Sequence, residues 1–142
     1  MYNETRGLVN KAVMRLNMDD TEIQNWAKAY IEAQLAHGLN TDHPKWWAVE
    51  KFMGIGGGET TPADSLKAIL TILNLDPPDK LVGVLAAGPL EDLIENAGVE
   101  VIDEIETLAR QNPSFRYLLG GVWESGTPEV WKRILACRGE AW

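Results

Sequence analysis

The chain has 142 residues, of which 45% are hydrophobic and 24% are charged, which is typical of one globular domain and excludes a disordered or fibrous chain. Its formal net charge of −8 repels phosphate backbones, so nucleic acid is not an expected partner. A basic protein surface would be attracted, although a moderate negative charge also serves solubility alone.

The first half of the chain has the residue spacing of three helices. The first is predicted over about 3–16, the second from an N-cap at Asp20 to Gly38, and the third after Pro44. Their apolar positions recur at helical spacing and include Val9, Ala12, Val13, Leu16, Ile23, Trp26, Ala27, Tyr30, Ile31, Trp46, Trp47, Val49, Phe52 and Met53. A glycine-rich loop at 54–59 follows, which predicts a flexible connection.

Glycine and proline divide the second half into six further short helices. The expected boundaries, in chain order, are Thr61-Pro62, Pro77-Pro78, Gly88-Pro89, Gly98, Asn112-Pro113 and Thr127-Pro128. The residues expected to face the core include Leu66, Ile69, Leu70, Leu90, Leu93, Ile94, Val101, Ile105, Leu108, Leu118, Leu119 and Trp123. No segment has the alternating pattern of a strand.

These elements predict an all-α fold of about eight or nine short helices in a single domain over residues 1–142. Short helices are marginal alone in water, so they must be held by packing against one another. Tight glycine and proline turns favour stacked antiparallel hairpins, in an arrangement like an α-solenoid of the HEAT type. No repeat of fixed period is visible.

A cytoplasmic protein without a membrane partner is expected. No apolar run approaches the ~18 residues that span a bilayer, and the N-terminus lacks the pattern of a signal peptide. Cys137 is the only cysteine, so no disulfide can form within the chain, which suits a reducing compartment. It lacks a neighbouring histidine, and we expect an unreactive thiol rather than a nucleophile.

No metal or cofactor site is expected from the residue spacing. The loop 54–59 could cradle a phosphate, but a P-loop needs a preceding strand and a Lys-Ser/Thr pair after its last glycine. His37, Asp42 and His43 are the one cluster of possible metal ligands, and their spacing matches no standard zinc site. The many carboxylates on the later helices are typical of a solvated face, and no catalytic residue is assigned.

Two groups of residues are candidates for an interaction or a ligand. Trp46 and Trp47 diverge by ~100° on a helix, so one of them should lie near the surface and, with Gly56 and Gly57, form a docking patch. The alternative is a core tryptophan whose edge reaches solvent.

Arg116 lies between two aromatic residues in an apolar segment and needs an acidic partner. The candidates are Glu91, Asp92 and Asp103, which would give a structural ion pair between helices. The functional alternative is a site for the carboxylate or phosphate of a substrate.

Three stretches together carry a family resemblance: Leu85 to Ile94 (LAAGPLEDLI), Phe115 to Trp123 (FRYLLGGVW) and Val130-Trp131. They resemble a family of uncharacterised bacterial helical domains over about residues 62–138. The resemblance implies a bacterial, intracellular, helical protein, and it implies no catalytic residue, cofactor or substrate.

The leading hypothesis is an acidic protein-binding module, such as an adaptor or an immunity-type inhibitor of a basic toxin. It rests on the net charge of −8, the six tryptophans and the absence of catalytic spacing. The alternative is an enzyme whose arginine and carboxylate site forms only in three dimensions.

Overall fold

The computed structural model of the protein describes residues 18–36, 41–54 and 60–142. Seven α-helices and one π-helical turn occupy these ranges, with no strand among the described residues. The helices are α1 (Asp20–Leu35), α2 (Trp47–Met53), α3 (Pro62–Asn74), α4 (Asp79–Leu85), α5 (Glu91–Gln111), α6 (Pro113–Leu119) and α7 (Pro128–Cys137), and the π turn is Ala86–Leu90. The predicted all-α class is therefore confirmed.

The number of helices differs from the predicted eight or nine. The helix predicted over about 3–16 lies outside the described residues. In the described part, α4, the π turn and α5 follow one another without a break, so the seven α-helices form six continuous segments. Solenoid-like stacking is not confirmed.

Two predicted boundaries fall inside that continuous segment: the one at Gly88-Pro89 is wrong, whereas the one at Gly98 lies beside a kink between two helical stretches. Pro89 has no N–H for the carbonyl four residues earlier, and the backbone accommodates it with a π turn instead of ending the helix. Ala97 leaves the helical conformation, with a φ of −143° and a ψ of 24°, so α5 is interrupted one residue before Gly98. Gly98 also packs closely against α7. A Cβ built on Gly98 would lie 2.9 Å from Cγ1 of Val130 on α7.

Local caps explain where several helices begin. The N-cap of α1 is Asp19 rather than the predicted Asp20, and it forms a capping box in which the Glu22 N–H donates to Asp19 Oδ1 at 2.8 Å. The caps Thr61, Asn112 and Thr127 each accept a backbone N–H, and a proline follows each of them.

The core lies between α1, α3, α5 and the π turn. On one side, the rings of Trp26 and Tyr30 pack against Phe52, and Trp26 Nε1 donates to the Ala48 carbonyl at 2.8 Å, which fixes α2 on α1. Further along, α5 packs on α3, α6 and α7. The largest fully buried apolar side chains are Trp26, Phe115, Ile69, Ile72, Leu85, Leu90, Leu93, Ile94, Ile105, Leu118 and Leu119.

The last residues fold back onto the end of α6. The Trp142 N–H donates to the Gly120 carbonyl at 3.0 Å, and Trp142 Nε1 donates to the Tyr117 carbonyl at 2.7 Å. The indole also stacks on the Tyr117 ring, with 5.1 Å between centroids. Gly121 faces this indole, and a Cβ built there would lie 2.5 Å from its Cζ2 atom. The pair Gly120-Gly121 thus permits close approach of the tail.

Candidate functional site

The predicted divergence of the two adjacent tryptophans is confirmed. Trp46 is buried, whereas 45% of Trp47 is exposed. Gly56 and Gly57, the other members of the predicted docking patch, lie outside the described residues. The patch as an interaction surface stays a prediction.

The predicted ion pair of Arg116 is wrong, because its candidate partners are engaged elsewhere or do not contact it. Asp103 Oδ1 lies 2.5 Å from Arg133 Nη2. Glu91 Oε1 accepts the Trp123 N–H at 3.0 Å. Arg116 is exposed and makes no salt bridge with any described residue. An anion site at Arg116 stays a prediction.

Arg133 on α7 forms the ion pairs that link α7 to α5. Its guanidinium contacts Asp103 and also Glu106, with Nε to Glu106 Oε2 at 3.0 Å and Nη2 to Glu106 Oε1 at 2.5 Å. These hydrogen bonds hold the pKa of Glu106 below its usual range and raise the pKa of Arg133. The two-point contact with Glu106 is the geometry that makes arginine and carboxylate pairs strong.

Trp123 was expected in the core, but it is 78% exposed. Its loop is held on α5 by two carboxylates one helical turn apart: Glu91 accepts the Trp123 N–H, and Glu95 Oε2 accepts the Gly126 N–H at 2.7 Å. Gly126 has a φ of 76°, a conformation that favours glycine. The loop therefore presents the indole outward from a fixed backbone.

A groove of about 640 Å³ lies between α3 and α5, and we call it the α3/α5 groove. Its lining comprises Thr61, Pro62, Ala63, Leu66, Lys67, Leu70, Glu100, Val101, Glu104 and Leu108. Leu66 and Val101 are core residues, and Leu70 and Leu108 are half-buried beside them. The floor of the groove is thus continuous with the hydrophobic core.

Charged side chains border the α3/α5 groove on both helices. Glu100 and Glu104 are exposed and lie one turn apart on α5, and the exposed Lys67 lies on α3. None of the three makes a salt bridge with a residue of the described ranges. The groove is therefore apolar at its base and more acidic than basic at its edge.

A second, smaller cavity of about 180 Å³ lies beside the π turn, and we call it the π-turn pocket. Its walls come from α1, α2, α4, α5 and the π turn, and the lining residues are Tyr30, Gln34, Trp46, Val49, Phe52, Met53, Val84, Gly88, Pro89 and Asp92. It brings together one predicted docking residue, Trp46, and one predicted acidic residue, Asp92. Burial raises the pKa of Asp92, and the neighbouring Glu91 raises it further.

Of the predicted cluster of possible metal ligands, His43 has a structural role. His43 Nδ1 accepts the Lys45 N–H at 3.0 Å, within a turn before α2. His37 lies outside the described residues. In the described ranges, no three histidine, cysteine, aspartate or glutamate side chains are grouped so as to hold a metal ion.

Cys137 is half-buried near the end of α7. Its Sγ contacts the Ile134 carbonyl at 3.6 Å, and burial raises the pKa of the thiol. A raised pKa reduces the thiolate fraction at neutral pH, so the geometry favours the unreactive thiol that the sequence predicts.

Neither the α3/α5 groove nor the π-turn pocket was predicted from the sequence, although many of the residues that line them were identified. Leu70 and Leu108 were predicted to face inward, and Glu100 and Glu104 were assigned to a solvated face. The sequence feature that could have indicated these cavities is the width of the apolar stripe on each helix. A helix with more apolar positions than its packing needs leaves some of them at the surface.

The fold and its cavities define an all-helical domain with an apolar surface groove bordered by carboxylates. The chain belongs to DUF6869, a family of unknown function, which matches residues 35–142. This match begins before the predicted boundary at about 62, so it includes Trp46 and Trp47. No curated protein matches the chain, and no solved structure matches it. Among the described helices, none has the length and apolarity needed to cross a membrane.

Proposed function

We propose that the protein is an acidic protein-binding module, acting as an adaptor or an immunity-type inhibitor, which receives a basic amphipathic helix in the α3/α5 groove. The observation that carries this proposal is the apolar floor of Leu66, Leu70 and Leu108 beside two carboxylates with no salt-bridge partner in the described ranges. Helix-in-groove binding uses this combination of an apolar trough and a charged edge.

The size of the α3/α5 groove suits a short helical segment. Thr61 to Leu70 covers nine steps along α3, or ~14 Å at 1.5 Å per residue. A docked helix of that length has two to three turns, enough for apolar anchors at positions i, i+3 or i+4, and i+7. Because the floor joins the core, these anchors would contact side chains that are already fixed by packing.

The charges at the edge of the α3/α5 groove favour a positively charged partner. Glu100 and Glu104 on α5 outnumber Lys67 on α3, and the whole chain carries a net charge of −8. Lysine or arginine along one side of the docked helix would pair with the two carboxylates, while the overall field would speed encounter. An acidic helix would be repelled at the same edge.

The alternative, an enzyme with an arginine and carboxylate site, has less support. That site depends on Arg116 meeting Glu91, Asp92 or Asp103, and Asp103 is instead paired with Arg133. The carboxylates that line the α3/α5 groove face an apolar surface that suits recognition better than acid and base chemistry.

The test compares three versions of the full chain as affinity baits in native lysate. The first is the parent, the second carries Glu100→Lys with Glu104→Lys, and the third carries Glu50→Lys with Glu129→Lys. Glu50 and Glu129 are exposed and do not line the groove, so both variants change the net charge by the same amount. A protein bound in stoichiometric amount is identified, and its basic amphipathic segment is synthesised and titrated against each bait by fluorescence anisotropy.

The expected result is binding of the segment to the parent and to the control variant, with at least a tenfold weaker Kd for the groove variant. Equal loss of affinity in both variants would mean that net charge alone drives association, and it would refute groove recognition. The absence of any stoichiometric partner would also count against a binding module.

A further inference from the structure

We infer that the chain's own N-terminal segment, residues 1–17, covers the α3/α5 groove in the free protein, so that a binding partner has to displace it. This inference rests on the proposed function, because it names a competitor for the same groove. Three observations carry it: the point at which the segment joins the described fold, the charge of the segment, and the spacing of its apolar residues.

The N-terminal segment joins the fold at one end of the α3/α5 groove. Met18, the first described residue, donates its N–H to Asp64 Oδ2 at 3.0 Å. Asp64 lies in the first turn of α3, and its own N–H donates to Thr61 Oγ1 at 3.1 Å. Thr61 and the two residues after it line the groove. Residues 1–17 are therefore attached where α3 begins and the groove begins with it.

Asp64 keeps this junction in place. The residue is only 1% exposed, and its Oδ1 atom has no hydrogen-bond partner among the described residues. A buried carboxylate is costly unless hydrogen bonds or positive charge compensate it, so the bond from Met18 stabilises the junction. The remaining acceptor favours hydrogen-bond donors and positive charge in the residues that precede Met18.

The N-terminal segment is basic, although the chain as a whole carries a net charge of −8. Its charged side chains are Arg6, Lys11, Arg15 and Glu4. The edge of the α3/α5 groove has the opposite excess, because Glu100 and Glu104 outnumber Lys67 and make no salt bridge in the described ranges. The segment thus has the charge that this groove attracts.

The apolar residues of the segment have the spacing of helix-in-groove anchors. Positions i, i+3, i+4 and i+7 of the helix predicted over about 3–16 are Val9, Ala12, Val13 and Leu16. They cover ~11 Å along a helix, which fits within the ~14 Å of groove along α3. Leu16 is two residues from Met18, a reach of at most ~7 Å, so a docked helix would end beside Thr61.

A tethered segment is a strong competitor even when its own affinity is modest. A short linker holds it near the groove at an effective concentration on the order of millimolar. An external basic helix therefore binds only as far as it displaces residues 1–17. The segment would act as a built-in inhibitor that sets the threshold for partner binding.

The first experiment uses a labelled synthetic peptide of residues 1–17 as the probe, titrated against full chains by fluorescence anisotropy. The stripe variant carries Val9→Asp with Val13→Asp, and the polar control carries Asn3→Asp with Asn10→Asp, off the apolar stripe and with the same change of charge. We expect the stripe variant to bind the peptide at least tenfold more tightly than the parent and the polar control, because its own segment no longer competes.

The second experiment tests the location with the intact segment. Glu100→Lys with Glu104→Lys should make the amides of residues 9–16 exchange hydrogen at least tenfold faster than in the parent. Glu50→Lys with Glu129→Lys, on exposed residues outside the groove, should leave their exchange unchanged. Circular dichroism confirms that each variant is folded.

Several results would overturn the inference. These are equal peptide affinity in the parent and the stripe variant, no peptide binding to the stripe variant, or exchange that does not respond to the groove substitutions. Light scattering that shows a dimer in the parent and a monomer in the stripe variant would assign the segment to the groove of a second copy instead. Neither experiment needs an external partner, so failure to find one would refute the proposed function and leave these readouts intact.

Discussion

Gly121→Ala should detach the C-terminal indole from α6. The new Cβ would lie 2.5 Å from the Trp142 ring, closer than Cβ atoms approach other atoms in folded proteins, and 3.0 Å from Cβ of Ala86, which is a tight contact. The tail can move away, whereas Ala86 is held in the core. The variant should therefore lose the contacts of Trp142 with Tyr117 and Gly120 rather than distort the π turn.

The expected decrease in the free energy of unfolding follows from how much of the Trp142 surface is buried. Since 48% of the residue is exposed, about half of a tryptophan surface of roughly 200 Å², or ~100 Å², is buried. At ~25 cal/mol per Å² this burial contributes ~2.5 kcal/mol, and release of the ordered tail offsets part of it. We expect the free energy of unfolding to fall by about 1 to 3 kcal/mol.

Urea unfolding followed by circular dichroism measures this change. Gly88→Ala serves as the matched control, because its Cβ meets no atom and the substitution removes helix-disfavouring glycine; it should stabilise by up to about 1 kcal/mol. In a Trp142→Ala background, Gly121→Ala should destabilise much less than in the parent. If Gly121→Ala leaves the parent as stable as before, the close contact with Trp142 does not restrict this position.

Three further predictions use the same purified chain. Tyr30→Phe should raise the free energy of unfolding by about 1 kcal/mol, since it removes a buried hydroxyl without a partner among the described residues; a lower stability in urea would contradict this. Arg133 lowers the pKa of Glu106 from its ordinary 4.5, so the stability that this pair provides is present above pH 4.5 and is lost as the pH falls through the lower folded value. Glu106→Gln should therefore lower the melting temperature at neutral pH and make the melting temperature fall less steeply as the pH is lowered. If the melting temperature of the variant falls with pH as steeply as that of the parent, the ion pair does not contribute to acid unfolding. Because burial raises the pKa of Cys137, an aromatic disulfide reagent should label the native thiol more slowly than the urea-unfolded one at pH 8, and equal rates would show an accessible thiolate.

Helix starts were predictable because their cause is local. Thr61-Pro62, Asn112-Pro113 and Thr127-Pro128 each provide a side-chain oxygen for a free N–H and a proline that needs no partner, and each begins a helix. Most core leucines were predictable for a similar reason, since helical spacing alone places them on one face.

The errors arose where the cause lies elsewhere in the chain. Trp123 is a large aromatic residue of the kind expected in the core, yet two carboxylates of α5 fix its loop with the indole pointing outward. Both Arg116 and Arg133 could pair with Asp103, and only the packing of α7 on α5 decides for Arg133. The cavities were beyond prediction because they depend on distances between helices.

The π turn also sets the rotational register of everything that follows it. A π turn amounts to one extra residue inserted into an α-helix, and one residue corresponds to ~100° of rotation. Deleting a residue from Ala86–Leu90 would restore ordinary helix geometry and turn α5 by that angle relative to α4. Leu93 would then leave the core, and Glu100 would leave the edge of the α3/α5 groove. A single inserted residue thus determines which way the longest helix of the described chain faces.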